Sequence, residues 1–372
     1  MEPIRILHVL HSMNRGGAEN AIMNYYRHID RDMVQFDFLL TDQNKCQFED
    51  EIYSMGGRVF RVPPMTMSNP FPYLKGVNKF LSSHPEYKIV HSHTSSKSVF
   101  PLWIAKLNGV PVRISHSHSS MAEYGMRGQI RLALRPLLKI VATEWLTCGI
   151  QAGEYLYGEK AMNDEKVLLF RNVIESEKYR LDLSRRSSLR QELGFDESCF
   201  VIGHTARYDT VKNHKFDVRI LKELKKIYPN SKIIEVGQGV KEGLSDYARE
   251  MGVYDDIIFT GIVDNVWDYE QAMDAFILPS FNEGLPLSII EAQVSGLPCF
   301  TSEGRVSKEC SVTELVTYLP LEKGAKVWAE AIFSSRNTAR VDRYNEIADA
   351  GYDARTSAKV LQDFYLSKYA SL

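Results

Sequence analysis

Two glutamates, Glu283 and Glu291, stand in the stretch 279–298, and the residues around them limit what they can do. Asp274-Ala-Phe-Ile-Leu278 is an apolar run of strand length. Glu283 and Gly284 then fall in a turn, followed by Leu285. Pro286 fits the first position of a helix running from Leu287 to about Ser295, and Gly296 ends it. A helix N-terminus attracts phosphate through unpaired N–H groups and its positive dipole end. A carboxylate there would repel phosphate, so Glu283 is read as an acceptor for the hydroxyls of a sugar or ribose. Glu291, about two turns into the helix, would meet another part of the same ligand. Taken by themselves, the pair also fits a capping acid followed by a surface glutamate.

Arg207 and Lys212 follow a second apolar strand, Cys199-Phe-Val-Ile-Gly-His204, and a loop separates them, so both can converge on one point. Two cations aimed at a departing diphosphate stabilise its growing charge more in the transition state than in the ground state. A solvated basic loop is the alternative. Gly16 and Gly17 follow the first strand, where they allow close approach to a ligand or a positive φ. Gly237 lies in a similar strand-to-loop segment, Val236-Gly-Gln-Gly239. Two histidine pairs, His91-Ser-His93 and His116-Ser-His118, end further strands, and alternate residues of an extended segment face one way. Each pair could chelate a metal, but neither segment offers an adjacent carboxylate for a metal-hydrolase site. His91, His93 and His118 are therefore read as polar strand-end residues bonded to loop backbone.

The elements that position these residues alternate. Strand-like runs at 4–10, 36–40, 58–62, 89–91, 112–115, 144–148 and 167–170 are separated by helical stretches such as Ser98 to Asn108. The rhythm resumes after a polar stretch, 175–197, which marks a domain junction. Ligands in such sheets sit at the carboxyl ends of strands. The expectation is an α/β chain of two doubly wound parallel-sheet domains, 1–175 and 176–354, with a C-terminal helix at about 355–372. Composition agrees: 44% apolar and 25% charged residues suit a globular protein, and a net charge of −2 gives no support to nucleic-acid binding. No run approaches the roughly 18 apolar residues of a spanning helix. Met1–Arg5 leads straight into a strand, leaving no room for a signal peptide. Five cysteines without CxxC spacing suit a reducing cytosol and argue against a disulfide scaffold or a structural zinc site. In 127–141, Arg127, Arg131, Arg135 and Lys139 recur every four residues, and Pro136 must kink this helix or begin a new one. An ordinary surface helix and a peripheral contact with anionic lipid, at the inner face of a membrane, both fit, each basic residue adding about 1 kcal/mol in the latter.

Glu283-x7-Glu291 resembles the motif of retaining glycosyltransferases of family 4, which have the GT-B fold of two facing Rossmann-like domains with a cleft between them. The likeness extends to Gly16-Gly-Ala-Glu19, to His116, to Arg207-x4-Lys212-Asn213 and to Val236-Gly-Gln-Gly239. The resemblance implies a sugar–nucleotide diphosphate donor, most commonly UDP-linked, on the second domain, and a saccharide or lipid-linked acceptor on the first, to which the C-terminal helix at about 355–372 returns. It implies Glu283 on the donor sugar, Glu291 on the ribose, and Arg207 and Lys212 on the diphosphate. His116 would lie near the reacting centre, with Gly16 and Gly17 over the phosphate. Transfer would retain anomeric configuration by same-face displacement, without cofactor or metal; the only Asp-x-Asp, Asp30-Arg-Asp32, reads as a solvated helix end. Ala206 stands where the family has glycine, Asn172 lacks its usual following glycine, and Ser302–Arg305 replaces a glycine pair. A GT-B-shaped sugar-nucleotide epimerase or hydrolase would use the same donor residues without an acceptor.

Overall fold

The computed structural model describes residues 2–66, 69–118 and 126–372. They form two compact units, Met1–Ile174 with Gly351–Leu372, and Glu175–Ala350.

In the first unit, seven strands make a parallel sheet: β1 (Ile4–Leu10), β2 (Val34–Leu40), β3 (Arg58–Arg61), β4 (Ile89–Ser92), β5 (Val112–Ser117), β6 (Glu144–Thr147) and β7 (Val167–Leu169). Their order is β3-β2-β1-β4-β5-β6-β7. β2 is buried along its whole length, as a central parallel strand covered on both faces must be. It carries Asp37 into the interior, and that charge is fully partnered. Arg5 donates two hydrogen bonds to the carboxylate, at 2.5 and 2.6 Å, Tyr87 Oη a third at 2.7 Å and the Arg58 backbone N–H a fourth at 2.8 Å.

The C-terminal helix, Ala354–Ala370, completes this core. Asp353 caps it by accepting from the Thr356 N–H at 2.9 Å. Ala354, Ala358, Leu361 and Tyr365 recur at helical spacing and pack with Met23, Tyr26 and Phe36. Of the two alternatives for Pro136, a new helix does not begin there: one helix spans Met126–Val141 with the proline inside. Leu138 and Val141, both fully buried, bind that end to the core and outweigh the lost backbone bond. The side chains of Arg127 and Arg131 lie outside the described residues, and Arg135 stacks on Tyr155 at 4.0 Å.

In the second unit, β8 (Phe200–Thr205), β9 (Ser231–Val236), β10 (Ile257–Gly261), β11 (Ala275–Leu278), β12 (Cys299–Ser302) and β13 (Val316–Leu319) form a parallel sheet in the order β10-β9-β8-β11-β12-β13. Chain order reverses between β8 and β11, and between β1 and β4 in the other sheet. At such switch points neighbouring loops diverge and leave room for ligand.

Candidate active site

In the second unit, the loops leaving β8 and β11 are tied to each other. Asn213 Nδ2 donates to the Pro279 carbonyl at 2.9 Å, and the Phe281 N–H donates to the Val211 carbonyl at 2.8 Å. Asn213 takes a left-handed conformation, φ 61°, which turns the chain from a short 3-10 turn, Thr210–Lys212, into the helix His214–Ile227. Lys212 is thereby delivered to Glu283, with Nζ 2.6 Å from Oε1 and Ser280 Oγ donating to the same oxygen at 2.9 Å. The Glu283 side chain is 14% exposed and that of Lys212 24%, so this is a half-buried pair open to a ligand. The Glu283 N–H donates to the Arg305 carbonyl at 2.9 Å, which fixes the turn from the side of the departing Ser302–Arg305 loop. The helix Leu287–Val294 follows with no side-chain cap on its first turn. Pro286 is its N-cap rather than its first residue, because its ψ of 108° is extended.

Arg207 differs. Its side chain is 76% exposed and makes a loose pair with Asp209 at 3.8 Å, whereas Lys212 is paired with Glu283. Its backbone is firmly held. The Ala206 N–H reaches the Val236 carbonyl, the Tyr208 N–H reaches the Gln238 carbonyl, and the Arg207 carbonyl accepts from His214 Nε2 at 3.1 Å. Gly237 is needed here: at φ 150°, a Cβ on it would lie 1.9 Å from the Ala206 carbonyl oxygen.

Glu291 lies against Tyr179 and against Glu270, two neighbours that the sequence reading did not find. Burial raises the Glu291 carboxyl to about 7, the Tyr179 hydroxyl beside it pulling the other way. Glu270 is fully buried and held well above the usual carboxylate range, by burial first and by Glu291 second. Two adjacent buried carboxyls cannot both ionise cheaply. The pair therefore favours holding a proton.

In the first unit, the histidines do not bond to loop backbone as read. They bond to one another and to side chains. β1, β4 and β5 place His8 directly across from His91, and His116 two residues past the partner of His91. His8 Nδ1 lies 2.9 Å from His93 Nε2, His93 Nδ1 2.8 Å from His118 Nε2, and His118 Nδ1 2.8 Å from Asn172 Oδ1. The amide oxygen can only accept, so His118 carries its proton on Nδ1, and the same tautomer follows along the row. A second row joins Tyr365 Oη, His91 and His116 at 2.6 and 3.2 Å. Nε2 of His116 makes no hydrogen bond among the described residues, with only the Phe170 main chain near enough to favour its proton. Burial keeps all five rings neutral, lowering His8 to about 3 and His118 to about 4.

Beside this network, at the β1–β4 switch point, a pocket of about 410 Å³ is lined by His11, Glu19, Thr41, Tyr73, His93 and Lys97 among others. Gly16 caps the helix Gly17–His28 at φ −141°, so the Gly16-Gly17 pair serves no left-handed turn. A Cβ on Gly16 would meet only the Glu19 carboxyl, and one on Gly17 nothing within 4 Å. Residues 119–125, which follow the second histidine pair, lie outside the described residues.

Comparison with known proteins gives this geometry a family. Residues 185–332 match the model for glycosyl transferases group 1, and residues 16–145 match that for the glycosyl transferase 4-like domain. EpsF of Bacillus subtilis (strain 168), which carries the name of a glycosyltransferase, is 36% identical over 368 residues, covering 97% of this chain and 96% of that protein. The capsular polysaccharide biosynthesis glycosyltransferase CapH of Staphylococcus aureus is 25% identical, covering 98% and 99%. Among solved structures, Anabaena Alr3699/HepE in complex with UDP aligns with a TM-score of 0.76 at 19% identity, over 98% of this chain and 100% of that one. That last likeness bears on the fold alone and agrees with two Rossmann-like parallel sheets. With two glycosyltransferase models matched in chain order and a relative matched nearly end to end, the chain belongs to the group 1 glycosyltransferases, family 4-like enzymes of the GT-B fold.

Proposed function

We propose that this glycosyltransferase moves a sugar from a UDP-sugar to a saccharide or lipid-linked saccharide with retention of anomeric configuration, in cell-surface polysaccharide synthesis. The observation that carries the reading is the half-buried Lys212–Glu283 pair ahead of an uncapped helix N-terminus. The cation and the helix end suit a diphosphate, and the acid suits the hydroxyls of the attached sugar. Arg207, on a fixed backbone with a free-swinging side chain, adds the second cation when the diphosphate arrives. Gly237, Gly284, Leu285, Pro286 and Leu287 bring backbone to the donor, and Glu291 accepts from the ribose. As the glycosidic bond breaks, the leaving phosphate gains charge that Lys212, Arg207 and the helix end stabilise, and it takes the acceptor's proton on the same face. No divalent ion is required at the diphosphate.

Glu175–Ala350 is the nucleotide-sugar unit in this reading, and Met1–Ile174 with Gly351–Leu372 the acceptor unit, its 410 Å³ pocket being large enough for a sugar. His116, Gly16 and Gly17 are assigned to the donor by the family resemblance. Arg135 and Lys139 belong to the helix assigned to anionic lipid at the inner membrane face, which vesicle co-sedimentation tests. CapH supports the polysaccharide reading by name, and the UDP complex of HepE supports the nucleotide. The decisive assay incubates purified enzyme and acceptor extract with a panel of UDP-sugars and reads the product's anomeric configuration by NMR. A retained glycoside, lost in Glu283→Ala, is expected. Inversion, or full activity of Glu283→Ala, removes the proposal.

A further inference from the structure

One group of side chains in the second unit takes no part in this chemistry. Register sets His204 on β8 directly opposite Glu235 on β9. The helix His214–Ile227 lays His214 and Asp217, one turn apart, over the same spot. His204 Nδ1 lies 2.8 Å from Asp217 Oδ2, and His214 Nδ1 lies 3.0 Å from Glu235 Oε2 and 3.6 Å from Asp217 Oδ2. The four donor atoms all fall within 4.8 Å of one another, and the four residues are at most 1% exposed.

One feature is hard to reconcile with an ordinary polar core. Two carboxylates side by side in the interior repel, and each costs several kcal/mol to desolvate unless a cation or a shared proton offsets it.

We propose that His204, His214, Asp217 and Glu235 bind one divalent cation of the zinc type, as a closed structural site beneath the loop that carries Arg207. Two carboxylates and two neutral imidazoles carry a charge of −2, which one such ion cancels. Zinc–nitrogen and zinc–oxygen bonds of about 2.0–2.2 Å in a tetrahedron require ligand edges of roughly 3.3 Å, and the observed 2.8, 3.0 and 3.6 Å straddle that value. The outer shell is already built: His214 donates its other ring N–H to the Arg207 carbonyl at 3.1 Å, the arrangement that orients a metal-bound imidazole. Nitrogen ligands disfavour magnesium and calcium, whereas zinc accepts this mixed set. Four protein ligands leave no open position, so the ion is structural and takes no part in transfer. Cysteine spacing excludes only thiolate sites and does not bear on this one.

The test uses full-length enzyme without a histidine tag, refolded with one equivalent of zinc and dialysed against metal-free buffer. Mass spectrometric metal analysis is expected to find one zinc per chain in the wild type and in His93→Ala, and none in Glu235→Gln. Refolding with cobalt(II) instead is expected to give the intense visible bands of a tetrahedral N/O site in wild type and in His93→Ala. Zinc should also raise the unfolding midpoint of wild type but not of Glu235→Gln. A refolded wild-type chain that retains no zinc and shows no cobalt bands overturns the proposal. It would leave a proton shared between Asp217 and Glu235 as the offsetting charge. Metal lost in His93→Ala and kept in Glu235→Gln overturns it too, by assigning the ion to the histidine rows of the first unit.

Discussion

Replacing Glu283 by glutamine should separate nucleotide binding from sugar transfer. Without donor, Lys212 is committed to Glu283 at 2.6 Å, in a pair only 24% and 14% exposed. A fully exposed pair is worth up to about 1 kcal/mol, and breaking a fully buried one costs about 3–5 kcal/mol. A half-buried pair therefore holds Lys212 back by about 1–2 kcal/mol, which is about 5- to 30-fold in affinity for any anion that must draw it away. Glu283→Gln is expected to bind UDP, which has no sugar for Glu283 to meet, about 5- to 30-fold more tightly than wild type. The same variant is expected to lose about 100-fold or more in transfer, the usual scale for removing one charged group that acts on the transition state. Lys212→Ala should weaken UDP about 10- to 100-fold, the loss of a charge-assisted contact of about 1.5–3 kcal/mol. In the Lys212→Ala background, Glu283→Gln should add almost nothing to UDP affinity, because the competition it relieves is gone. Titration calorimetry of UDP against the four proteins at one fixed salt concentration reads all of this. The reasoning fails if Glu283→Gln weakens UDP, or if it tightens UDP equally with and without Lys212.

Three further outcomes follow from particular contacts. Gly237→Ala drives a methyl into the Ala206 carbonyl, 1.9 Å away, at φ 150°. It should cost about 2–4 kcal/mol by urea denaturation and weaken UDP binding as the Arg207 backbone shifts; wild-type stability would show that the loop yields freely. Asp37→Asn should cost about 3–5 kcal/mol, because it leaves Arg5 with no carboxylate to pair with, and a loss below 1 kcal/mol would mean water reaches Asp37. Burial holds the folded Glu291 carboxyl near 7 against an ordinary 4.5, so the folded chain favours its protonated form. Stability should then fall as pH rises from 4.5 to 7 and level off above, and Glu291→Gln should remove on the order of 2–3 kcal/mol of that fall. Parallel pH–stability profiles for the two proteins would contradict it.

The strands were legible where burial writes an apolar run, unbroken in Ala275–Leu278 and interrupted only by Arg5 and His8 in Ile4–Leu10, and where glycine or asparagine marks the turn. β13 was not. Its Val-Thr-Tyr-Leu sequence lies at the sheet's edge, only partly buried, and carries no such run. Lys212 and Glu283 were legible as candidates, because a cation after one strand and an acid after another belong at the same end of a parallel sheet. Their pairing was not, because it needs β8 and β11 to be neighbours, and β9 and β10 intervene in the chain.

The same limit explains the buried histidines, acids and tyrosine. His8 pairs with His93, Tyr365 with His91, and Glu270 with Glu291 only after the strands and helices have been ordered in space. Within the chain, nothing marks which residue each will meet. Burial turns these polar residues from indifferent into demanding, since every unmet hydrogen bond or charge inside the fold must be offset by a neighbour. That neighbour comes from a distant part of the chain: Asp37 finds Arg5 on β1, and His118 finds Asn172 in the loop after β7. A polar residue set in an apolar run is therefore the signal to follow. The chain states the demand locally at Asp37, His91, His204 and Glu235, and the sheet order determines which residue answers it.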